Sequence, residues 1–382
     1  MPIIITGILL VIFGLLAIFS VSIHESFTLA LKGIAQWRRQ GDPSNYFYFN
    51  RQIRNLVIGV VMAIFTYYMP TKRLQNKGFV AIVFGLIVLL QLAVFIPGIG
   101  LVLNGARWWI NLWWLTTIQP AEFFKLWYVL FLGSWLMRKS SQINTPWFYW
   151  KFIILNAICL SIFLLIPDLG TALILWIVGL IMYRYAGASF KLIASIAWAG
   201  IGIGLSAGLF LSVISPKFDY IKDRFTYFLS SDVDPQSRQI WRQNEQALIA
   251  IGWWWFRWQW YGKWLQKFGY IPEAQSDFIF AAFSEEIGFL GNGVLLALYF
   301  YLCRYTLTHL SYSREQYSKL MGVGIISLII IQMFVNIGVN LKILPNTWLT
   351  LPFISYGGTA IMVNLIEIVI LYKIVKKNSF VS

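Results

Sequence analysis

Seven ionisable residues stand in stretches of this chain that are otherwise almost free of charge: Glu122 and Lys125, Asp168, Asp277, Glu285 and Glu286, and Glu367. A charge in apolar surroundings is costly unless paired or wet, so each is a candidate for chemistry. Asp277 is the best placed. It ends a polar stretch and borders an apolar run, where a carboxylate with a perturbed pKa can act as a general base; its structural reading is a helix N-cap. Glu122 and Lys125 are three residues apart and can pair on one helix face, either locking helices together or lining an active cavity. Asp168 follows Pro167 and precedes Leu169-Gly170-Thr171, the position of an N-cap. Glu285 and Glu286 fall two turns into an apolar run, where capping or pairing with a neighbouring helix competes with function. Glu367 reads as structural.

These residues need helices to hold them. Of 382 residues, 59% are hydrophobic and 12% charged, against about 25% charged in soluble domains. Apolar runs long enough to cross a hydrocarbon core recur at 3–23, 53–70, 79–98, 121–137, 152–167, 169–186, 190–215, 278–303, 320–341 and 356–375. Backbone in lipid must bond internally, so each run predicts a helix. The first lacks a basic leader and a cleavage site and reads as a retained span. The expected fold is all-α: a single transmembrane domain over 1–382 with about ten helices and a large extracytoplasmic loop, about 216–276, between helices seven and eight. That loop is polar and irregular, and loops of this length usually serve a function.

The net charge of +15 is spread over short loops, which suits lipid headgroups and topology better than nucleic acid. Basic residues such as Lys72, Arg73, Arg138, Lys139, Arg184, Lys191, Arg304, Lys376 and Lys377 mark alternate loops and both termini as cytoplasmic. Arg38, Arg39, Arg51 and Arg54 run against that bias. Two cysteines and two histidines, far apart, suggest no disulfide and no zinc site.

The charged residues also fall within longer motifs. Asn104-Gly105-Ala106-Arg107, Gln119-Pro120-Ala121-Glu122-Phe123-Phe124-Lys125 and Pro167-Asp168-Leu169-Gly170-Thr171-Ala172 resemble those of the SEDS family (shape, elongation, division and sporulation). So do Tyr270-Ile271-Pro272-Glu273-Ala274-Gln275-Ser276-Asp277, continuing to Glu285-Glu286-Ile287-Gly288, and Leu351-Pro352-Phe353-Ile354-Ser355-Tyr356-Gly357-Gly358. Order and spacing agree from Arg51-Gln52 to the last helix. The resemblance implies a peptidoglycan glycosyltransferase that polymerises lipid II at the outer face of the bacterial cytoplasmic membrane, partnered by a class B penicillin-binding protein and other division or elongation proteins. It implies Asp277, Glu122 and Lys125 as catalytic residues. Arg51, Arg107, Asp168, Lys263, Lys267, Glu286 and Ser355 form the expected substrate-binding set, with Arg107, Lys125, Lys263 and Lys267 available to a departing pyrophosphate. A divalent cation, magnesium or manganese, would suit the same task, although the sequence offers no dedicated cage.

The 19 tryptophans are a misfit. Trp253, Trp254, Trp255, Trp258, Trp260 and Trp264 crowd a stretch that is glycine-rich in the family, and Trp113, Trp114 and Trp348 also stand where the family commonly has glycine. Glycine permits φ > 0 and close backbone approach, and tryptophan removes both. A UGA codon that means glycine, read as tryptophan, explains all these positions together; a genuinely aromatic loop is the competing reading. For function, the rivals are a lipid II flippase and a scaffold that only recruits a penicillin-binding protein. No internal repeat of the transporter kind is evident between the two halves.

Overall fold

A computed structural model describes residues 1–23, 25–26, 46–103, 106–111, 117–137, 142–166, 168–200, 202, 238–252 and 274–379. Helix occupies the described part of every apolar run named above. In chain order the helices are α1 (Pro2–Val21), α2 (Phe47–Tyr68), α3 (Thr71–Gln75), α4 (Lys77–Leu92), α5 (Pro120–Met137), α6 (Pro146–Leu165), α7 (Leu169–Tyr185), α8 (Phe190–Gly200), α9 (Arg238–Gly252), α10 (Ile279–Ser311), α11 (Gln316–Asn340) and α12 (Gly358–Ser379). Among the described residues, six helices are long and apolar enough to cross a membrane: Pro2–Val21, Lys77–Phe95 (α4 with a closing 3-10 turn), Pro146–Leu165, Ile279–Ser311, Gln316–Asn340 and Gly358–Lys377. Local chemistry sets several starts. Asn76, Thr145 and Asp168 cap α4, α6 and α7 by accepting from Phe79, Phe148 and Thr171 N–H groups. Pro120 and Pro146 occupy the first helical position, where a missing N–H costs nothing.

Three features depart from the sequence reading. First, the fold is not purely helical. Gly100–Leu103, Ala106–Asn111 and Thr117–Ile118 form an antiparallel sheet in the order β1-β2-β3. In β2, Trp108 and Ile110 are buried while Arg107 is exposed, the two-residue alternation of a half-buried strand. Second, the polar loop contains α9, whose Ala247 and Ala250 are buried. Third, the expected span 278–303 is longer and broken: Gly288 has φ 62° and ψ −166° inside α10.

The chain divides into two compact units. One comprises Met1–Val61, Arg224–Leu302 and Gln332–Asn364. Its core joins Val21 of α1, Ala247 and Ala250 of α9, Ala274, Phe278, Ala281 and Ala282 around the start of α10, and Val339 of α11. At Gly14 of α1 a Cβ would overlap the Phe353 carbonyl oxygen, so the helix backbone lies directly on the 353–354 segment.

The other unit comprises Met62–Asp223, Cys303–Ile331 and Leu365–Ser382. Helices α5, α6 and α7 pack through aromatic pairs, Phe124 on Phe163 at 4.9 Å and Phe152 on Tyr183 at 4.3 Å. The buried Asn156 is satisfied within this packing. It accepts from the Tyr128 hydroxyl and donates to the Phe152 carbonyl at 2.8 Å.

Glu315, between α10 and α11, gathers donors from three elements: Lys377 Nζ at 2.6 Å, Gln75 Nε2 at 2.6 Å and Ser318 Oγ at 2.8 Å. Partial burial alone would raise its pKa. The hydrogen bonds of Lys377 and Ser318, the Lys377 charge and the Gln75 bond outweigh that and hold it below the ordinary carboxylate value. A lowered folded pKa means stabilisation that is complete above the unfolded value and is lost as pH falls through the folded one. Glu315→Gln is therefore expected to destabilise at neutral pH by about 0.5–1 kcal/mol, the range of a partly exposed pair. The gap in thermal midpoint between the two proteins should close in acid; a gap independent of pH would count against the charge.

Candidate active site

Asp277 lies in the turn that leads into α10. Its carbonyl oxygen accepts from Asn336 Nδ2 at 2.9 Å and from Asn340 Nδ2 at 3.0 Å. Asn340 Oδ1 in turn accepts from the Ala281 N–H at 3.1 Å, which satisfies one of the free donors of the first turn of α10. From the other side, the Tyr356 N–H donates to the Gln275 carbonyl at 2.8 Å. The turn carrying Asp277 is thus tied to α11 and to the segment before α12. Its own side chain is only partly buried. A carboxylate carried on a turn held in this way can accept a proton from a hydroxyl brought within reach.

Glu285 and Glu286 are both buried in the short part of α10 ahead of Gly288. Glu286 Oε1 accepts from the Ser20 hydroxyl of α1, which gives this carboxylate a structural partner. The break itself is bridged: Asn292 Nδ2 donates to the Gly288 carbonyl at 3.0 Å, and Ser284 Oγ donates to Asn292 Oδ1 at 3.1 Å. A residue with a Cβ at φ 62° would be strained there.

Of the expected substrate-binding residues in this unit, Arg51 lies in α2 with its guanidinium 5.3 Å from the Phe47 ring centroid. It is within electrostatic reach of Tyr356. Ser355 is buried, and its Oγ accepts from the Leu351 N–H at 2.7 Å, closing its own turn.

The second unit holds a different group. Glu122 and Lys125 form the expected ion pair on one face of α5, Nζ to Oε1 at 2.8 Å, and Lys125 is only 1% exposed. Glu122 sits in the first turn, where the helix dipole favours an anion. Glu367 of α12 is also buried and lies within electrostatic reach of Lys125 and Glu122. The sequence reading left it apart from them. Asp168 is the N-cap of α7, its Oδ1 accepting from the Thr171 N–H at 3.0 Å. Arg107 is exposed on β2 and donates to the Phe95 carbonyl at 3.2 Å. Its neighbour Trp108 donates from Nε1 to the Ile166 carbonyl at 2.8 Å, anchoring the strand beside the Asp168 cap.

Lys263, Lys267, Trp113, Trp114 and the tryptophans of 253–264 lie outside the described residues. Trp348 lies within them, and its φ is 51°. The left-handed conformation costs an L-residue about 1–2 kcal/mol and costs glycine almost nothing. The backbone at 348 therefore has the form that glycine prefers, as the reassigned-codon reading expects. Trp348→Gly should be more stable than Trp348→Ala by about 1 kcal/mol, the reverse of their ordinary order. Both variants lose the indole equally, so their difference in denaturation midpoint isolates the backbone. A more stable alanine variant would contradict the strain, and a UGG codon at 348 would remove this position from the reassigned-codon reading, which UGG codons at 253, 254 and 258 would end.

Among the described residues no group of three His, Cys, Asp or Glu side chains is arranged to hold a metal ion. Ser20, Asn336 and Asn340 join the site without standing in any charged motif of the sequence. Two asparagines four residues apart in an uncharged apolar run share one helix face and need partners there.

Comparison with known proteins bears on the whole chain. A family profile described as cell cycle protein, spanning FtsW, RodA and SpoVE, matches residues 1–380. Stage V sporulation protein E of Bacillus subtilis is 35% identical over 376 residues, 97% of this chain and 95% of that protein. A probable peptidoglycan glycosyltransferase FtsW of Nitrosomonas europaea is 32% identical over 378 residues, 97% and 90% of the two chains. The rod shape determining protein RodA of Thermus thermophilus has a similar fold, with TM-score 0.66, 22% identity and coverage of 98% and 96%. A chain from a peptidoglycan synthase complex, solved to address the coordination of polymerisation and crosslinking, aligns with TM-score 0.66, 23% identity and coverage of 95% and 97%.

Proposed function

Because this chain belongs to the FtsW, RodA and SpoVE family of cell cycle proteins, we propose that it is a peptidoglycan glycosyltransferase polymerising lipid II at the outer face of the bacterial cytoplasmic membrane. The name carried by its FtsW relatives supports the activity. The observation that carries the residue assignment is the Asp277 turn, fixed through its backbone, on a residue that is only partly buried.

In this reading, Asp277 removes the proton from the C4 hydroxyl of one sugar as that oxygen attacks C1 of another. The new bond joins O4 to C1. The bond from C1 to the lipid pyrophosphate breaks, and the pyrophosphate leaves with the electron pair. Cations stabilise that charge, a role that falls to the basic residues expected at substrate, Arg107, Lys263 and Lys267. Glu122 and Lys125, the other residues expected to be catalytic, are paired within α5, the helix that follows the Arg107 sheet. A divalent cation, magnesium or manganese, would share the task of stabilising the departing pyrophosphate.

The architecture that suits this chemistry has about ten spans, both termini cytoplasmic and the 216–276 loop outside. Substrates with lipid tails then reach Asp277 sideways from the bilayer. The partner is a class B penicillin-binding protein that crosslinks the glycan, by analogy with the synthase complex whose chain shares the fold. Purified protein with that partner and labelled lipid II is expected to yield glycan strands. Movement of lipid II across vesicles without polymer would replace the assignment with a flippase, and neither product would leave a scaffold.

A further inference from the structure

The Asp277 carbonyl has two lone pairs, and two buried amides fill them. Asn336 and Asn340 stand one turn apart on α11, 1% and 0% exposed. Neither is spare packing. Asn336 Nδ2 has two hydrogens and two main carbonyl partners, Asp277 at 2.9 Å and Leu349 at 2.6 Å. Asn340 Nδ2 likewise reaches the Asp277 carbonyl at 3.0 Å and the Asn336 carbonyl at 2.9 Å, while its Oδ1 takes the Ala281 N–H. One amide therefore ties the Asp277 turn to the Leu349 segment. The other ties it to the first turn of α10. A turn residue would ordinarily keep one carbonyl lone pair for water, and here neither is left over.

We infer that Asn336 and Asn340 are positioning residues for the glycosyl transfer: they fix the backbone of Asp277 so that its carboxylate meets the attacking hydroxyl in one orientation. This rests on the assignment of Asp277 as the base. A bond to a backbone carbonyl does not touch substrate, so its loss should change the chemical step and leave substrate affinity in place. Misplacing a catalytic group by about 1 Å can cost on the order of 100-fold in rate.

The test uses the full-length protein with its penicillin-binding partner and labelled lipid II. Asn336→Leu and Asn340→Leu keep side-chain size and remove the amides; Asn336→Ser and Asn340→Ser are measured as well, in case a leucine variant does not fold. Asn340→Gln retains the amide as a conservative rescue. Each leucine or serine substitution is expected to lower kcat about 10-fold, and the pair together about 100-fold, with KM within about twofold. The acid limb of the kcat profile should move, and Asn340→Gln should recover part of the rate. Folded variants with kcat within twofold of the parent overturn the inference. So does a loss of rate that merely follows the folded fraction with the acid limb unmoved. Asp277→Asn in the same assay separates the two readings: full activity there defeats the base assignment, whereas an inactive Asp277→Asn beside normal asparagine variants defeats only the positioning role.

Discussion

Asp277→Asn is expected to lower the initial rate of lipid II polymerisation by about 100- to 10,000-fold, the range of a lost general base. Asparagine has nearly the same shape and can still hydrogen-bond a hydroxyl, but it cannot take the proton. The substitution should leave the fold intact for a specific reason. Asn336 and Asn340 hold the Asp277 backbone carbonyl, which the change preserves. A folded, partner-bound variant therefore isolates the proton transfer. The parent rate should fall in acid as the carboxylate becomes protonated, and the variant should lose that limb. If Asp277→Asn polymerises within about threefold of the parent, the base lies elsewhere.

Lys125→Met is expected to destabilise the fold by about 3–5 kcal/mol. Lys125 is 1% exposed and bonded to Glu122 at 2.8 Å, with Glu367 also within electrostatic reach. Removing the cation leaves the buried Glu122 carboxylate without its ion-pair partner, and the cost comes from the charge left behind more than from the bond lost. Adding Glu122→Gln to Lys125→Met is accordingly expected to restore stability relative to the single variant, even though it removes another charge. Chemical denaturation of the detergent-solubilised protein followed by its intrinsic fluorescence measures both. A double variant less stable than Lys125→Met would mean that Glu122 does not depend on Lys125.

Much of the helical frame was legible because long uncharged runs have few ways to satisfy their backbones in lipid. The Asp168 cap was legible for a local reason: its partner, Thr171, is three residues away. So was the pair of Glu122 and Lys125. Glu367 was not, because only the packing of α12 brings it near them. The sheet was missed although Asn104-Gly105, a dipeptide favoured in hairpin connections, stood in plain view and was read only as part of a motif. Glu286 and Ser355 were expected at substrate. Their described bonds go to Ser20 and to the Leu351 N–H, partners that the sequence does not point to. The two asparagines behind Asp277 were hidden by their surroundings, since a polar pair inside an apolar run reads as part of the run.

The break at Gly288 bears on how the protein tolerates its bilayer. A continuous helix carries any tilt imposed at one end to the other. The membrane-crossing part of α10 must match its tilt to hydrocarbon thickness, which differs among membranes by a few ångströms. With a left-handed residue between them, the short part that follows Asp277 need not share that tilt. Its bearing is set instead by α11, through the Asn336 and Asn340 amides on the Asp277 carbonyl.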